Sequence, residues 1–422
     1  MSLRFYNASY LDEQFNIITD AEIITDGEFI AYAGKRSLKN KCEREIDLKG
    51  KLVLPGFINT HAHSPLVLLR GAAENLSLFD WLENIIYPAE RKLTEEHIYW
   101  GTQLALAESL KHGITCTADM YFFPETIAEV YEKNNVSAVL LGTASDKDSS
   151  PKEQEYLYKK LNRKNTRFIP GIHAPYSCNE NLLCGMSDLV AGLKCPFNCH
   201  LSETLTEVGE CTVKHKDMTP PMYLHSLGLF DYGGIAAHCV HTDKDDIKLL
   251  AQCGVSVSHN PSSNLKLGSG IAPVSSMLKY GVNVALGTDS AASNNSLDIM
   301  REMRLAALLQ KQLFSDPGAI TSVQALSFAS VNGAKALGIK NTGIIKEGFK
   351  ADMCVLDLNT PEARPYTDLK NNLVFSMDSS GVEYTVCNGK ILYEKGSFSL
   401  NESTEKIYSQ AEKLSENLLG GI

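Results

Sequence analysis

Leu54-Pro55-Gly56-Phe57-Ile58-Asn59-Thr60-His61-Ala62-His63 sets two histidines at the end of a short apolar run. A run of this length, entered after a proline and a glycine, reads as a buried strand. Residues two apart on a strand face the same side, so both imidazoles address one point. Neutral imidazole is a good ligand for zinc or iron, and two of them converging make half of a metal site. Two hydrogen-bonded core histidines would give the same local pattern, so the rest of the chain has to decide.

The same kind of run recurs. Apolar or β-branched stretches that end in or beside a polar residue fall at 54–61, 114–120, 137–143, 167–174, 197–203, 234–240, 254–259 and 283–289. Helix-like stretches separate them. Thr94-Glu95-Glu96 supplies a cap and an acidic first turn for one helix, and Gly113 ends it just before Ile114. Residues 297–313 carry Ile299, Met303, Leu305, Ala306 and Leu309 at helical spacing. Eight strands alternating with helices predict an α/β protein built on a (β/α)8 TIM-like barrel.

The ends of the chain read differently. Residues 23–30, with Asp26-Gly27, and 384–392, with Asn388-Gly389, look like hairpins, because such pairs favour turns that need positive φ. We expect a small β-sandwich domain from 1–54 and 344–400, the barrel over 55–343, and a C-terminal helix over 401–422. Ile407, Ala411, Leu414 and Leu418 share one face of that helix.

Composition narrows the class. With 422 residues, 44% of them hydrophobic, the chain is long enough for a large barrel and an accessory domain. A net charge of −10 argues against nucleic acid or an anionic membrane as a partner. No stretch approaches the ~20 apolar residues of a membrane-spanning helix, and no signal peptide follows Met1. Eleven cysteines without framework spacing suggest buried thiols in a reducing compartment. A cytoplasmic location is the expectation.

The run ends carry the chemistry. His61 and His63 close the first, His173 the fourth, His200 and Glu203 the fifth, His238 and His241 the sixth, His259 the seventh and Asp289 the eighth. In a barrel all these ends share one rim, where barrel active sites sit. Convergence on one metal accounts for this placement better than chance. His61, His63, His200 and Asp289 are the expected ligands, leaving a position for water. A bound metal brings the pKa of water from about 15.7 toward about 7. Glu203, not needed as a ligand, suits general acid/base work, and His238 can polarise the water together with Asp289.

Several features are discounted. Cys195 and Cys199 are spaced one residue too wide for the usual zinc pair. Cys239 should point away from the site by strand alternation. His97, His112, His215 and His225 lie in helix-like stretches, and His241 and His259 read as support for the site rather than as part of its chemistry. Gly268-Ser-Gly270 lacks the lysine and context of a phosphate loop.

Taken together, Pro55-Gly-Phe-Ile-Asn-Thr-His-Ala-His63, His200-Leu-Ser-Glu203, Ala236-Ala-His-Cys-Val-His241, Ser258-His-Asn-Pro-Ser-Ser-Asn-Leu-Lys-Leu-Gly268 and Leu286-Gly-Thr-Asp-Ser-Ala-Ala-Ser-Asn-Asn295 resemble the amidohydrolase superfamily. More narrowly, they resemble the 5-methylthioadenosine/S-adenosylhomocysteine deaminases and their chlorohydrolase-like relatives. The resemblance implies one divalent metal ion, zinc or iron, and hydrolytic replacement of an amino group by oxygen. It also implies a homo-oligomer and a purine nucleoside substrate. No lysine stands in the fourth run, which argues against a binuclear site bridged by a carbamylated lysine.

By the same resemblance Glu90 matches a glutamate that binds ribose hydroxyls, and His173 a histidine that contacts the purine. Two arginines that grip the homocysteine tail have no counterpart; Lys147 and Lys152 are the cations nearby, and a lysine does not replace an arginine fork. Substrates with a small 5′ group, namely 5′-methylthioadenosine, 5′-deoxyadenosine or adenosine, therefore fit better than S-adenosylhomocysteine. Two alternatives remain: a deaminase of guanine or another aminated heterocycle, or a triazine-type chlorohydrolase, on the same site; and a non-catalytic barrel scaffold. Residues 76–82 are a candidate lid.

Overall fold

A computed structural model of the chain describes residues 2–35, 42–72 and 74–420. Five strands come first: β1 (Ser2–Leu11), β2 (Ile17–Asp26), β3 (Phe29–Lys35), β4 (Arg44–Asp47) and β5 (Lys51–Pro55). Eight strands follow, one in each expected run. They are β6 (Phe57–Ala62), β7 (Ile114–Met120), β8 (Ser137–Leu141), β9 (Thr166–Ile169), β10 (Phe197–Leu201), β11 (Gly234–His238), β12 (Val255–His259) and β13 (Val284–Leu286). The last four are β14 (Met353–Asp357), β15 (Val382–Cys387), β16 (Lys390–Glu394) and β17 (Ser397–Phe398).

β6 to β9 and β10 to β13 pair in parallel, each set in chain order. The two sets meet through isolated parallel bridges, Gly171 with Asn198 at one junction and Ala62 with Asp289 at the other. This is the connectivity of a TIM-like barrel. Nearly every residue of these strands is buried, as expected when side chains fill the inside and helices cover the outside.

Every barrel strand except β7 is shorter than its run, and in two of them the reason is plain. β9 stops at Ile169 because Pro170 cannot donate to a ladder. The run at 54–61 divides at Gly56: Leu54 and Pro55 belong to β5, and β6 starts at Phe57. A Cβ at Gly56 would lie 2.2 Å from Thr115 Oγ1, so only glycine lets the chain cross there.

The remaining strands, from both ends of the chain, form one sheet in the order β17-β16-β15-β14-β5-β1-β2-β3, with β4 beside β1. Its apolar core takes Leu3, Phe5 and Ile23 from one end and Met353, Val355 and Val386 from the other. Asn388 (φ 46°) and Gly389 (φ 73°) turn β15 into β16 with both central residues at positive φ, as the Asn-Gly pair predicts.

Five helices bear on the site or its frame: α1 (Glu95–Lys111), α2 (Leu205–Lys214), α3 (Pro261–Lys266), α4 (Ile299–Leu313) and α5 (Thr404–Leu419). α1 has Glu95 and Glu96 in its first turn and Lys111 in its last, matching the helix dipole. α4 starts at Ile299 rather than 297, because the Asp298 carboxylate accepts the Met300 N–H at 2.9 Å and caps it. α5 buries Ile407, Ala411, Leu414 and Leu418, and packs against α1. Among the described residues no helix is long and apolar enough to cross a membrane, and all eleven cysteines are free.

Candidate active site

The backbone itself brings the first and last barrel strands together. Asp289 donates its N–H to the His61 carbonyl at 2.9 Å, next to the Ala62–Asp289 bridge. His61 is the fifth residue of β6, and His63 lies just beyond its end. Their rings meet edge to face with centroids 4.8 Å apart. The ring of His200, on β10, lies 4.9 Å from that of His61. Ligand atoms of His61, His63 and His200, and of His61, His238 and Asp289, lie within 4.8 Å of one another.

The donor set fits a metal ion. His63 Nδ1 faces the Met120 carbonyl, and His200 Nδ1 lies 2.6 Å from the His173 carbonyl. A carbonyl only accepts, so in the neutral ring each Nδ1 keeps its proton and each Nε2 presents a lone pair. Those two Nε2 atoms face each other at 3.3 Å. The buried Nε2 of His61 has no hydrogen-bond partner. Asp289 Oδ1 completes the ring, 3.3 Å from His63 Nε2 and 3.8 Å from His61 Nε2. Burial and neighbouring imidazoles hold His61 and His200 well below the usual histidine range. Burial pushes Asp289 upward, but the three histidines around it outweigh this and keep it ionised.

Glu203 and His238 stand beside this cluster. His238 Nε2 lies 3.8 Å from Glu203 Oε2 and 4.0 Å from Asp289 Oδ2. His238 Nδ1 sits 2.8 Å from Asn264 Oδ1, and Ser263 Oγ donates to Asp289 Oδ2 at 2.6 Å. Both partners come from α3, after β12. Burial raises Glu203 above the usual carboxylate range, against the pull of His238. His238 (φ 72°), Asp289 (φ 61°) and Ser202 (φ 49°) adopt left-handed backbone at their strand ends. Such strain in residues other than glycine clusters where side chains are aimed for a purpose.

A cavity of about 1040 Å3 opens above the cluster, lined by His63, His173, His200, Glu203, His238 and Asp289. His173 follows β9, its ring centroid 4.9 Å from that of His200, and burial lowers it to about 4, so it is neutral. Glu90, at the end of the helical turn Tyr87–Glu90, lies on the same wall. It accepts the Tyr121 hydroxyl at 3.0 Å, and burial pushes it up to about 7. The helical run from Leu78 to Glu90, which includes most of the segment expected as a lid, supplies Leu78, Trp81, Leu82, Ile86 and Tyr87 to the wall.

His97, His112, His215 and His225 are absent from the cavity lining. His241 Nε2 donates to the Ser269 carbonyl at 2.7 Å, and Ser269 Oγ donates to Glu203 at 3.5 Å. His259 is buried, off the cavity, and lowered to about 3 by that burial. Cys195, Cys199 and Cys239 are buried thiols outside the metal-competent groups found among the described residues. Of the two lysines expected near a substrate tail, Lys147 lines the cavity and Lys152 does not. Arg91 does line it, a cation the sequence reading overlooked because only the helical turn before it carries it inward. Tyr121, Ser263 and Asn264 were also missed; Tyr121, one residue past a strand end, was the one with a positional signal.

A hydrolase of the amidohydrolase class is what this rim defines, and the chain belongs to the amidohydrolase family, whose family model matches residues 52–392. Among its relatives, it is 38% identical to a 5-methylthioadenosine/S-adenosylhomocysteine deaminase of Caldanaerobacter subterraneus subsp. tengcongensis, over 100% of this chain and 99% of that one. It is 40% identical to a 5′-deoxyadenosine deaminase of Methanocaldococcus jannaschii, over 94% and 96% of the two chains. Its fold superposes on a zinc-bound adenosine deaminase from Xanthomonas campestris with a TM-score of 0.94 and 29% identity, covering 99% and 98%. It also matches an atrazine chlorohydrolase from Arthrobacter aurescens with a TM-score of 0.90 over 98% and 100% of the chains; at 22% identity this shows the fold alone.

Proposed function

We propose that this protein is a metal-dependent deaminase of adenine nucleosides that adds water at C6 and releases ammonia to give the inosine analogue. One observation carries the reading: three imidazoles and a carboxylate converge beside a raised, buried glutamate, under a cavity with ample room for a nucleoside, in a relative of nucleoside deaminases.

His61, His63, His200 and Asp289 would hold one divalent ion, zinc by likeness to the zinc-bound adenosine deaminase, with iron suiting the same donors. The bound ion would supply Lewis acidity that makes a water ionise near neutral pH. Glu203 takes one proton of the attacking water and delivers it to N1 of the purine, then takes the remaining proton from the new C6 hydroxyl and passes it to the departing amine, which leaves as ammonia. Its raised proton affinity suits both halves of that task. His238 polarises the water together with Asp289 and stabilises the tetrahedral centre. His173 contacts the purine, and Glu90 binds the ribose hydroxyls.

A single arginine, Arg91, lies among the described lining residues, so the cavity has no arginine pair for an amino-acid tail. This favours 5′-methylthioadenosine, 5′-deoxyadenosine or adenosine over S-adenosylhomocysteine. We also read residues 55–343 as the barrel and 401–422 as a terminal helix. Residues 1–54 and 344–400 are read as a small β-domain, expected to be a sandwich, supported by strands from both ends sharing one sheet and one apolar core. We read the chain as a cytoplasmic protein, from eleven cysteines without framework spacing, and as a homo-oligomer by its family resemblance.

Ammonia release from metal-loaded protein tests the reading, with those three nucleosides, S-adenosylhomocysteine, guanine and adenine as substrates. Turnover of the small-tailed nucleosides above the rest is expected. Silence on every nucleoside would overturn the proposal and direct attention to free bases and triazines.

A further inference from the structure

Glu203 leaves β10 through a turn that strand geometry alone would not form. Ser202 has left-handed backbone (φ 49°), a conformation that a residue with a Cβ rarely adopts. Something must hold that turn. Its carbonyl accepts the His241 N–H at 2.9 Å. The two N–H groups on either side of the turn, those of Ser202 and Glu203, both point at one carboxylate. Glu207 Oε1 accepts from Ser202 at 2.8 Å and Glu207 Oε2 from Glu203 at 2.7 Å.

Glu207 itself is rigidly placed. It is the third residue of α2, its own N–H donates to the capping Thr204 hydroxyl at 3.2 Å, and it is 2% exposed. An N3 glutamate ordinarily reaches back to the N-cap backbone. Here it reaches further, to the two residues before the cap.

We propose that Glu207 is the positioning residue for Glu203: it clamps both backbone donors of the turn and so aims the Glu203 carboxylate at the water and the purine. Only a carboxylate can do this, since both groups facing it are donors. A glutamine keeps one acceptor and turns an NH2 against the other N–H. The inference rests on the proposed role of Glu203.

The test is a double-mutant cycle in the metal-loaded protein, using Glu203→Gln, Glu207→Gln and the two together. Deamination of 5′-deoxyadenosine, metal content and melting temperature are measured for each. Misplacing a reacting group by about 1 Å costs about 100-fold, so Glu207→Gln should lower kcat by about 10- to 100-fold. KM should stay within about twofold and metal content unchanged, as expected when an interaction made only in the transition state is lost. In the Glu203→Gln background Glu207→Gln should add almost nothing. Retained kcat in Glu207→Gln, or losses that multiply in the double variant, would overturn the inference. If Glu203→Gln alone turned over like the wild type, the proposed role of Glu203 would fall instead. Should Glu207→Gln not fold, Ser202→Gly relieves the left-handed strain and the same cycle is read in that background; kcat restored there to the wild-type value would show a structural role and overturn the inference.

Discussion

Glu90 lets function and stability be separated by pH. Its carboxyl faces the cavity with the Tyr121 hydroxyl as its hydrogen-bond donor, and burial raises it from 4.5 to about 7. The unfolded chain loses this proton near pH 4.5, while the native protein keeps it until about pH 7. Stability therefore falls as pH rises through that window, and above it the whole cost is present. At about 1.4 kcal/mol per pKa unit the full shift corresponds to about 3 kcal/mol. Glu90 is only partly shielded from the cavity, so screening by water brings the expected cost to roughly 2 kcal/mol. Glu90→Gln keeps the shape and an acceptor for Tyr121 but carries no charge. The variant should match the wild type near pH 4.5 and exceed it by roughly 2 kcal/mol at pH 8, measured by urea denaturation across that range. The same variant should lose about 10- to 100-fold in kcat/KM for 5′-deoxyadenosine, the value of hydrogen bonds from a ribose diol to a charged acceptor. A stability difference independent of pH, or a Glu90→Gln protein less stable at pH 8, would refute the electrostatic argument. Full activity would refute the ribose contact.

Glu203→Gln should lower kcat by about 100- to 10,000-fold with metal content retained, by steady-state ammonia assay and elemental analysis. His200→Ala should lose bound metal as well as activity, and chelation of the wild-type protein should abolish turnover that re-added zinc restores. Gly113 has φ 80°, and a Cβ there would lie 2.9 Å from that of Cys354. Gly113→Ala should therefore cost about 1–3 kcal/mol in urea denaturation without changing KM, since it lies at the foot of the barrel away from the cavity lining.

The barrel was legible because its signal is local. Each strand is a short buried run, and six of the eight runs end in or beside a residue whose type betrays chemistry, so sequence order maps onto the rim. His61, His63, His200, Glu203, His238 and Asp289 were found this way. What escaped depends on contacts distant in sequence. β5 pairs with β14 across some three hundred positions, which no local pattern announces. Glu207 looked like any acidic residue in the first turn of a helix, and only the left-handed turn at Ser202 makes it a clamp. Arg91 enters the cavity wall from the end of a helical turn, and Tyr121 from the residue just past β7. Asn264 and Ser263 lay inside a motif already quoted, but their partners, His238 and Asp289, come from different strands.

The central claim is that this rim adds water to an adenine nucleoside. Metal-loaded protein incubated with 5′-deoxyadenosine in heavy-oxygen water, with the product weighed by mass spectrometry and ammonia measured alongside, tests it most directly. The account predicts one ammonia released per product, and an inosine analogue carrying one heavy oxygen at C6. Unchanged nucleoside with metal bound, or a product without the heavy oxygen, would contradict it.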